Sequence, residues 1–290
     1  MSIRTSTLAR IAVCAFALAA PAGAADLRMP VKAPVAPPPV FSWTGCYLGG
    51  YVGGAFTDRD AVFTDLGNTA FNAFSGGVTA PRVEGQHSWG VPLDSSFIAG
   101  GTLGCNWQPA GSPFVVGVEG EGGFMRLTGS RFDPLINPTL TVAAFRGTPD
   151  VLGSAKVGDA YGMITGRLGY AFDRVLLYVK GGVAFVPVRA SVLDQCADVT
   201  IGCGNWLIST AVSDTATRGT IGGGAEWAFA DHWSIKGEYM FVGLGNDVLT
   251  SCGSATLATG AVIRGGPFCF DHSFGGVHTA KVGLNFRFGP

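Results

Sequence analysis

The sequence feature that most constrains the fold is a pair of long alternating segments between residues 161 and 187, joined at Asp173-Arg174. In each segment one face is apolar, while the other carries small residues together with Arg167 or Lys180. A period of two around a tight turn predicts a β-hairpin. The strands are about ten to twelve residues long, against about five to six in globular proteins and about nine to eleven in a tilted membrane span. We therefore predict a transmembrane hairpin whose apolar face meets lipid.

Composition agrees with a chain that sits in lipid. Charged residues make up 13% of the sequence, below the typical value of about 25%, and hydrophobic residues make up 47%. Outside the N-terminus no apolar run approaches the roughly 18 to 20 residues that a membrane helix needs. Since every backbone polar group must be satisfied within the bilayer, a closed barrel is the expected way for this chain to cross it.

The N-terminus resembles a secretory signal. Within residues 1–24, Arg4 and Arg10 precede a short apolar run and the A-x-A cleavage site Ala22-Gly23-Ala24. The run is too short for an uncleaved membrane anchor. Cleavage leaves 17 of the 19 basic residues against 20 acidic ones, a formal net charge of −3. This balance gives no indication of nucleic-acid binding.

Residues 25–40 contain five prolines and are expected to form an extended periplasmic linker. Residues 41–290 then form the barrel domain. Its eight predicted strands are Phe41–Phe56, Ser96–Trp107, Phe114–Phe124, Tyr161–Phe172, Val175–Pro187, Thr217–Phe229, Ser234–Leu244 and His278–Phe288.

The connections between these strands alternate strictly between long and short. Long loops are expected over residues 57–95, 126–159, 189–215 and 245–277, and tight turns elsewhere. Outer-membrane barrels separate long outer loops from short periplasmic turns in this way. The predicted fold is all-β: an eight-stranded antiparallel transmembrane up-and-down β-barrel, with Trp43, Trp107 and Phe288 in an aromatic girdle at the periplasmic rim.

Alternation also predicts which charged residues point into the barrel. An eight-stranded barrel has an interior just wide enough for side chains, so these charges should pair in a network, with inward glycines leaving room for them. The predicted members are Glu119, Glu121, Arg167, Lys180, Arg218, Glu226, Lys236, Glu238, Lys281 and Arg287.

Six cysteines remain after cleavage, an even number that favours disulfides in an exported chain. We predict the pairs Cys46–Cys105, Cys196–Cys203 and Cys252–Cys269. The alternative is a metal site made of Cys252, Cys269 and His272, which an oxidising compartment disfavours. Neither a metal nor a cofactor is expected.

Short motifs in the strands resemble those of the outer-membrane immunogenic or porin-family proteins of alphaproteobacteria, whose membrane domain is similar to that of OmpA. The matching segments are Trp43-Thr44-Gly45-x-Tyr47, Cys105-Asn106-Trp107-Gln108, Val116-Gly117-Val118-Glu119-Gly120, Gly166-Arg167-Leu168-Gly169-Tyr170-Ala171-Phe172, Tyr178-Val179-Lys180-Gly181-Gly182-Val183-Ala184, Gly222-Gly223-Gly224-Ala225-Glu226 and Val282-Gly283-Leu284-Asn285-Phe286-Arg287-Phe288. The chain departs from the family in its loop cysteines and in Gly289-Pro290, which follow the terminal aromatic residue. The resemblance implies an integral outer-membrane protein with a structural, antigenic or weak pore-forming role.

The expected function is therefore a structural or surface role in the Gram-negative outer membrane, with little or no open channel. Expected partners are outer-membrane lipid and lipopolysaccharide, and the barrel-assembly machinery acting on the C-terminal strand. The barrel is expected to be a monomer. The alternatives are a weak porin, a surface receptor or adhesin for haem or a host ligand, and a lipid A-modifying enzyme. Fold alone does not separate them.

The enzyme alternative depends on the histidines. Some small outer-membrane barrels that modify lipid A use His and Ser near the outer rim, and His87-Ser88 and His272-Ser273 could imitate that arrangement. The sequence contains no G-x-S-x-G motif and no acid with an obvious pairing. His232 and His278 have no such neighbour. We therefore expect no catalysis.

Overall fold

A computed structural model describes residues 41–66, 87–134, 151–196, 206–245, 248–254, 256–257, 260–262 and 267–288. The predicted signal segment and linker lie outside this part of the chain. The strands are β1 (Gly45–Thr57), β2 (Ala61–Asp65), β3 (His87–Val91), β4 (Ser96–Trp107), β5 (Phe114–Phe132), β6 (Val151–Phe172), β7 (Val175–Cys196), β8 (Trp206–Ala228), β9 (Trp233–Val242), β10 (Leu249–Gly253), β11 (Thr256–Leu257), β12 (Phe268–Ser273) and β13 (Val277–Phe288). Among the described residues, no helix has the length and apolarity needed to cross a membrane.

Eight long strands form a closed antiparallel ring. Each strand from β4 to β8 pairs with the strand that follows it in sequence, so this run ends with the pair β8–β9. Strand β9 then pairs with β13. The first strand then pairs with both β13 and β4, which completes the ring. The predicted eight-stranded up-and-down barrel is confirmed.

The two faces of each strand sort as the alternation predicts. On β6 the outward Ile164 is 66% exposed, whereas the inward Arg167 is 3% exposed. On β7 the outward Val179 is exposed and the inward Lys180 is buried. An apolar exterior around a charged interior is the arrangement that a bilayer requires.

The aromatic girdle at the periplasmic end differs from the prediction at Trp43. Trp107 and Phe288 are exposed there as expected, but the side chain of Trp43 is fully buried. Trp43 does not belong to a strand. Its backbone N–H donates to Gln108 Oε1 at 2.8 Å, and its indole N–H donates to the carbonyl of Asp173 at 3.0 Å. The first strand begins at Gly45 rather than Phe41 because residues 41–44 fold across the mouth of the barrel.

Strands β5 to β8 are longer than predicted. Two of the segments predicted as loops, 126–159 and 189–215, have β-strand at both of their ends. As a result β6 and β7 each have 22 residues. A tilted membrane strand needs about nine to eleven, so half of each strand stands above the bilayer. There the pattern inverts: inward Leu127, Val157 and Val188 are apolar and buried, and most of the outward residues are polar. The prediction failed because it followed only the apolar outward face.

The other two predicted loops, 57–95 and 245–277, contain a second sheet. Its strand order is β10-β12-β2-β3. Phe63, Trp89 and Phe270 of this sheet form one apolar core with inward residues of the extended wall made by β5 to β8. The sheet therefore covers the outer end of the barrel with a packed apolar core.

Candidate functional site

The densest group of polar side chains lies inside the barrel, within the membrane-spanning part. Four carboxylates and four cations are each at most 7% exposed. They are Glu119 and Glu121 on β5, Arg167 on β6, Lys180 on β7, Glu226 on β8, Lys236 and Glu238 on β9, and Lys281 on β13. We call these eight residues the lumen network.

Lys180 lies at the centre of the lumen network. Its Nζ is 2.6 Å from Glu119 Oε1 and 2.9 Å from Glu238 Oε2. Lys236 approaches the other side of Glu119, with Nζ 3.2 Å from Oε2. These contacts join β5, β7 and β9 across the lumen, in addition to the hydrogen bonds around the barrel wall.

A second set of contacts links the network to β13 and to a pair of tyrosines. Lys281 Nζ is 2.6 Å from Glu121 Oε1 and 3.0 Å from Glu238 Oε1. The hydroxyl of Tyr161 donates to Glu121 Oε1 at 2.7 Å and lies 2.6 Å from the hydroxyl of Tyr51. Each carboxylate oxygen in this region therefore faces a cation or a hydroxyl.

The periplasmic side of the network is built on Arg167 and Glu226, which form a buried ion pair. Glu226 Oε1 also accepts hydrogen bonds from Ser234 Oγ at 2.6 Å and from Asn285 Nδ2 at 2.8 Å. The guanidinium of Arg167 stacks 3.7 Å above the ring of Tyr178. Buried charges are costly unless paired and hydrogen-bonded, and Glu226 meets both conditions.

The structure brings together eight of the ten charged residues that the sequence assigned to the interior. Arg218 is half-buried above the network and donates to the carbonyl of Thr217 at 2.7 Å. Arg287 lies at the periplasmic end, where its Nη2 donates to the carbonyl of Ser42 at 2.6 Å. The sequence reasoning missed the interior tyrosines, although Tyr47, which hydrogen-bonds Glu119, occupies an inward position of β1.

Three of the carboxylates are close enough together to suggest a cation site. Ligand oxygens of Glu119, Glu121 and Glu238 all lie within 4.8 Å of one another. However, Lys180 Nζ lies 2.6, 2.9 and 4.0 Å from oxygens of Glu119, Glu238 and Glu121. The lysine ammonium therefore supplies the positive charge that a metal ion would bring.

Apolar residues close the lumen on both sides of the network. Along β7 the inward side chains run from Leu176 through Lys180 to Ala184 and Val186. Leu176 belongs to a periplasmic cluster with Trp43, and Ala184 and Val186 belong to the outer core. We call the periplasmic cluster, which consists of Trp43, Val115, Leu176, Tyr178 and Ala228, the periplasmic plug.

Inward glycines have two different roles in the lumen. A Cβ at Gly224 would lie 2.2 Å from the carbonyl oxygen of Gly237 and 2.8 Å from the hydroxyl of Tyr178, so glycine leaves room there for a tyrosine as well as for the neighbouring backbone. A Cβ at Gly182 would lie 2.1 Å from the carbonyl oxygen of Ile164. At this position glycine permits the close approach of the neighbouring backbone in a tightly curved sheet.

Two of the predicted cysteine pairs are joined in the structure. Cys46 and Cys105 are register partners on β1 and β4, with Cα atoms 3.9 Å apart. Cys252 and Cys269 are linked between β10 and β12, with Cα atoms 4.1 Å apart. Cys203 lies outside the described residues, so its bond to Cys196 stays a prediction. With Cys252 and Cys269 bonded to each other, their sulfurs are not thiolates that could join His272 in a metal site.

The histidine nearest to a serine is His272, but its partner differs from the one suggested by the sequence. His272 Nε2 lies 2.8 Å from Oγ of Ser251 on the neighbouring strand, whereas Ser273 points to the other face. His272 is 1% exposed and its ring packs against Phe63 at a centroid distance of 4.5 Å. Burial lowers the pKa of His272 from its ordinary 6.5 to about 4, against a smaller opposing effect of Asp271. For the remaining candidates, the side chain of His87 is not described, His232 contacts the carbonyl of Arg287, and His278 contacts Tyr239.

The neutral state of His272 predicts an acid-sensitive outer sheet. Above pH 6.5 the imidazole is neutral whether the sheet is folded or unfolded. Between pH 6.5 and about 4 only the unfolded form binds the proton, so stability falls with pH, by about 3 kcal/mol in total. Hydrogen exchange of β12 amides measured from pH 7.5 to 4 should show this loss. The variant H272F should flatten the profile, and an unchanged profile in H272F would contradict the assignment.

The geometry defines the class of this protein. A closed ring of antiparallel strands, apolar outside and charged inside, is an integral β-barrel of the outer-membrane type. The chain belongs to the outer membrane protein β-barrel domain family, whose family model matches residues 11–288. The protein is therefore located in the Gram-negative outer membrane.

Two relatives from Brucella carry a name that agrees with this family. The chain is 28% identical over 291 residues to the 31 kDa outer-membrane immunogenic protein of Brucella melitensis, covering 99% of this chain and all of the relative. The protein of the same name from Brucella suis matches equally. Among solved structures, the outer membrane protein OprG from Pseudomonas aeruginosa matches with a TM-score of 0.45 and 10% identity, over 86% of this chain and 99% of that one. The Ail protein of Yersinia pestis matches with a TM-score of 0.31 and 13% identity, over 84% of this chain and 99% of that one.

Proposed function

We propose that this protein is a non-conducting structural barrel that presents a rigid surface sheet outside the cell. One observation carries the proposal: within the membrane, the lumen is filled by a charge-balanced network of side chains. A solute or hydrated ion crossing the barrel must break ion pairs such as Lys180–Glu119, which are almost fully buried. It must also pass the periplasmic plug and the apolar outer core.

Electrophysiology tests the proposal directly. Purified, refolded full-length protein in a planar lipid bilayer is expected to give no steady current, with at most small intermittent openings. The physical reason is that an eight-stranded lumen is already filled by side chains. A large, stable, nanosiemens-scale channel from the monomer would rule the proposal out and favour a porin.

The proposal includes the absence of catalysis. The pairing of Ser251 with His272 is buried in the outer sheet, at 3% and 1% exposure, where a lipid substrate has no access. Among the described residues, His272 Nδ1 has no hydrogen-bond partner, so nothing orients the ring as the acid of a triad does. Lipid A mass spectra from cells with and without the protein should be identical, and a new acylation state would contradict this part of the proposal.

The proposed partners follow from the surface of the barrel. The apolar exterior, including Leu103 and Val118, suits the acyl chains of the outer-membrane lipids. The C-terminal strand β13 pairs with β1 and β9 and closes the ring, which makes it the strand for the assembly machinery to engage. A barrel without an open edge can exist as a monomer. Nucleic acid is not a proposed partner.

A further inference from the structure

Basic side chains lie on the outside of the barrel, just above its apolar band. Lys156 on β6 and Arg189 on β7 are register partners. Their neighbours on both sides, Val157, Val188 and Ala190, are buried in the core, so both basic side chains point outward. Thr128 on β5 and Ser213 on β8 continue the same row. The row is therefore two cations flanked by two hydroxyls.

The charge of this pair is only partly neutralised within the chain. Lys156 Nζ lies 2.5 Å from Asp159 Oδ2, and Arg126 Nη2 lies 3.0 Å from Asp159 Oδ1. Among the described residues, no ion pair to Arg189 is found. Like charges directly opposite one another destabilise a sheet, with side chains about 5 Å apart. An anion bound between Lys156 and Arg189 would remove that repulsion.

A groove accompanies the row. A cavity of about 780 Å³, open on one side, is lined by Lys156, Arg189, Thr128, Ser213, Ser191 and Asp94, among others. The inward side chains behind it, Ala155 and Ala190, are only 4% and 2% exposed, which places the open space on the outer face. Asp94 adds one negative charge at the edge, so the basic residues Arg126, Lys156 and Arg189 still exceed the acids around them.

The height of the row matches the outer headgroup layer. Arg189 lies about 14 residues beyond Val175 at the periplasmic end of β7, or about 35 Å at about 3.3 Å per residue and a tilt of about 40°. The hydrocarbon core is about 30 Å thick, and the headgroup regions extend it to about 40–45 Å. Phe124 and Phe185, at the top of the apolar band, lie on the same strands just below the row.

We propose that this row is a binding site for a phosphorylated glycolipid of the outer leaflet, whose phosphate lies between Lys156 and Arg189. The acyl chains would lie on the apolar band beneath, and the sugar hydroxyls would meet Thr128, Ser191 and Ser213. Charge-assisted hydrogen bonds to phosphate, which a guanidinium can make in pairs, supply the affinity. The inference rests on the outer-membrane location of the barrel and is independent of whether the barrel conducts.

A binding titration tests the site. The full-length barrel in zwitterionic nanodiscs is titrated with bis-phosphorylated lipid A, with lipid A lacking both phosphates, and with phosphatidylglycerol, and bound lipid is counted by native mass spectrometry. We expect the phosphorylated form to bind at least about tenfold more tightly than the other two. Equal binding of phosphatidylglycerol, or full competition by millimolar inorganic phosphate, would overturn the assignment to a glycolipid.

Matched variants locate the site. R189Q is expected to weaken binding of phosphorylated lipid A about tenfold, and R189K to recover part of the loss. The control is R174Q, the same substitution at the start of the same strand on the periplasmic rim, where Arg174 pairs with Asp231 at 2.8 Å. Because Arg189 makes no ion pair among the described residues, R189Q should fold, which heat-dependent gel mobility checks. Unchanged binding in R189Q, or an equal loss in R174Q, would sink the proposal, whereas the conductance measurement is unaffected by either result.

Discussion

Replacing Glu226 with alanine is expected to lower the free energy of unfolding of the barrel by about 3–5 kcal/mol. The carboxylate is 2% exposed, and its removal leaves the guanidinium of Arg167 buried without its partner. Ser234 and Asn285 also lose their acceptor. The measurement is urea unfolding of the protein in lipid vesicles, followed by tryptophan fluorescence and by heat-dependent gel mobility.

The control is an acid outside the network. Asp231 lies in a periplasmic turn with its side chain 78% exposed, and its pKa is lowered by a hydrogen bond from Arg174. D231A should leave the unfolding curve unchanged, because surface ion pairs contribute little. Asp133 lies in the segment predicted as a loop over residues 126–159, but it is only 1% exposed and therefore cannot serve as a surface control.

A double substitution separates burial of charge from loss of packing. In the variant E226L/R167M both members of the ion pair are replaced by apolar residues of similar volume. Removing a whole buried pair costs far less than removing one partner, so the double variant should be more stable than E226A. If E226A unfolds at the same urea concentration as D231A, the network does not stabilise the barrel.

The second large effect is expected at Trp43. The W43A substitution removes the largest member of the periplasmic plug and should lower the unfolding free energy by about 3–5 kcal/mol. The lost indole N–H also leaves the carbonyl of Asp173 without its donor. Unfolding in vesicles measures the change, as for Glu226.

The matched control is W107A, the same substitution at a residue that is 61% exposed to lipid. Its effect should be small, because the side chain lies outside the barrel and leaves no internal cavity. Equal destabilisation by W43A and W107A would mean that Trp43 acts as a girdle residue and that the plug does not form. The two variants remove the same side chain, in one case from the periplasmic plug and in the other from the outer surface of the barrel.

Much of the barrel could be predicted from sequence because lipid imposes a simple rule on each strand. Outward residues such as Ile164 and Val179 must be apolar, so alternation alone assigns Arg167 and Lys180 to the interior. Prediction failed where lipid ends. Above the bilayer most outward residues are polar, so the strand segments around Thr128 and Ser154 have the composition of loops.

The sequence by itself determined which face each charged residue takes and how many strands close the ring, since both follow from local alternation and from connection length. Only the tertiary structure decided which charges meet. Lys236 reaches Glu119, 117 positions earlier in the chain, because ring closure places β9 across the lumen from β5. The same closure buries Trp43 beneath the Asp173 turn, 130 positions away. Such contacts depend on the curvature and register of the whole barrel, which no single strand encodes.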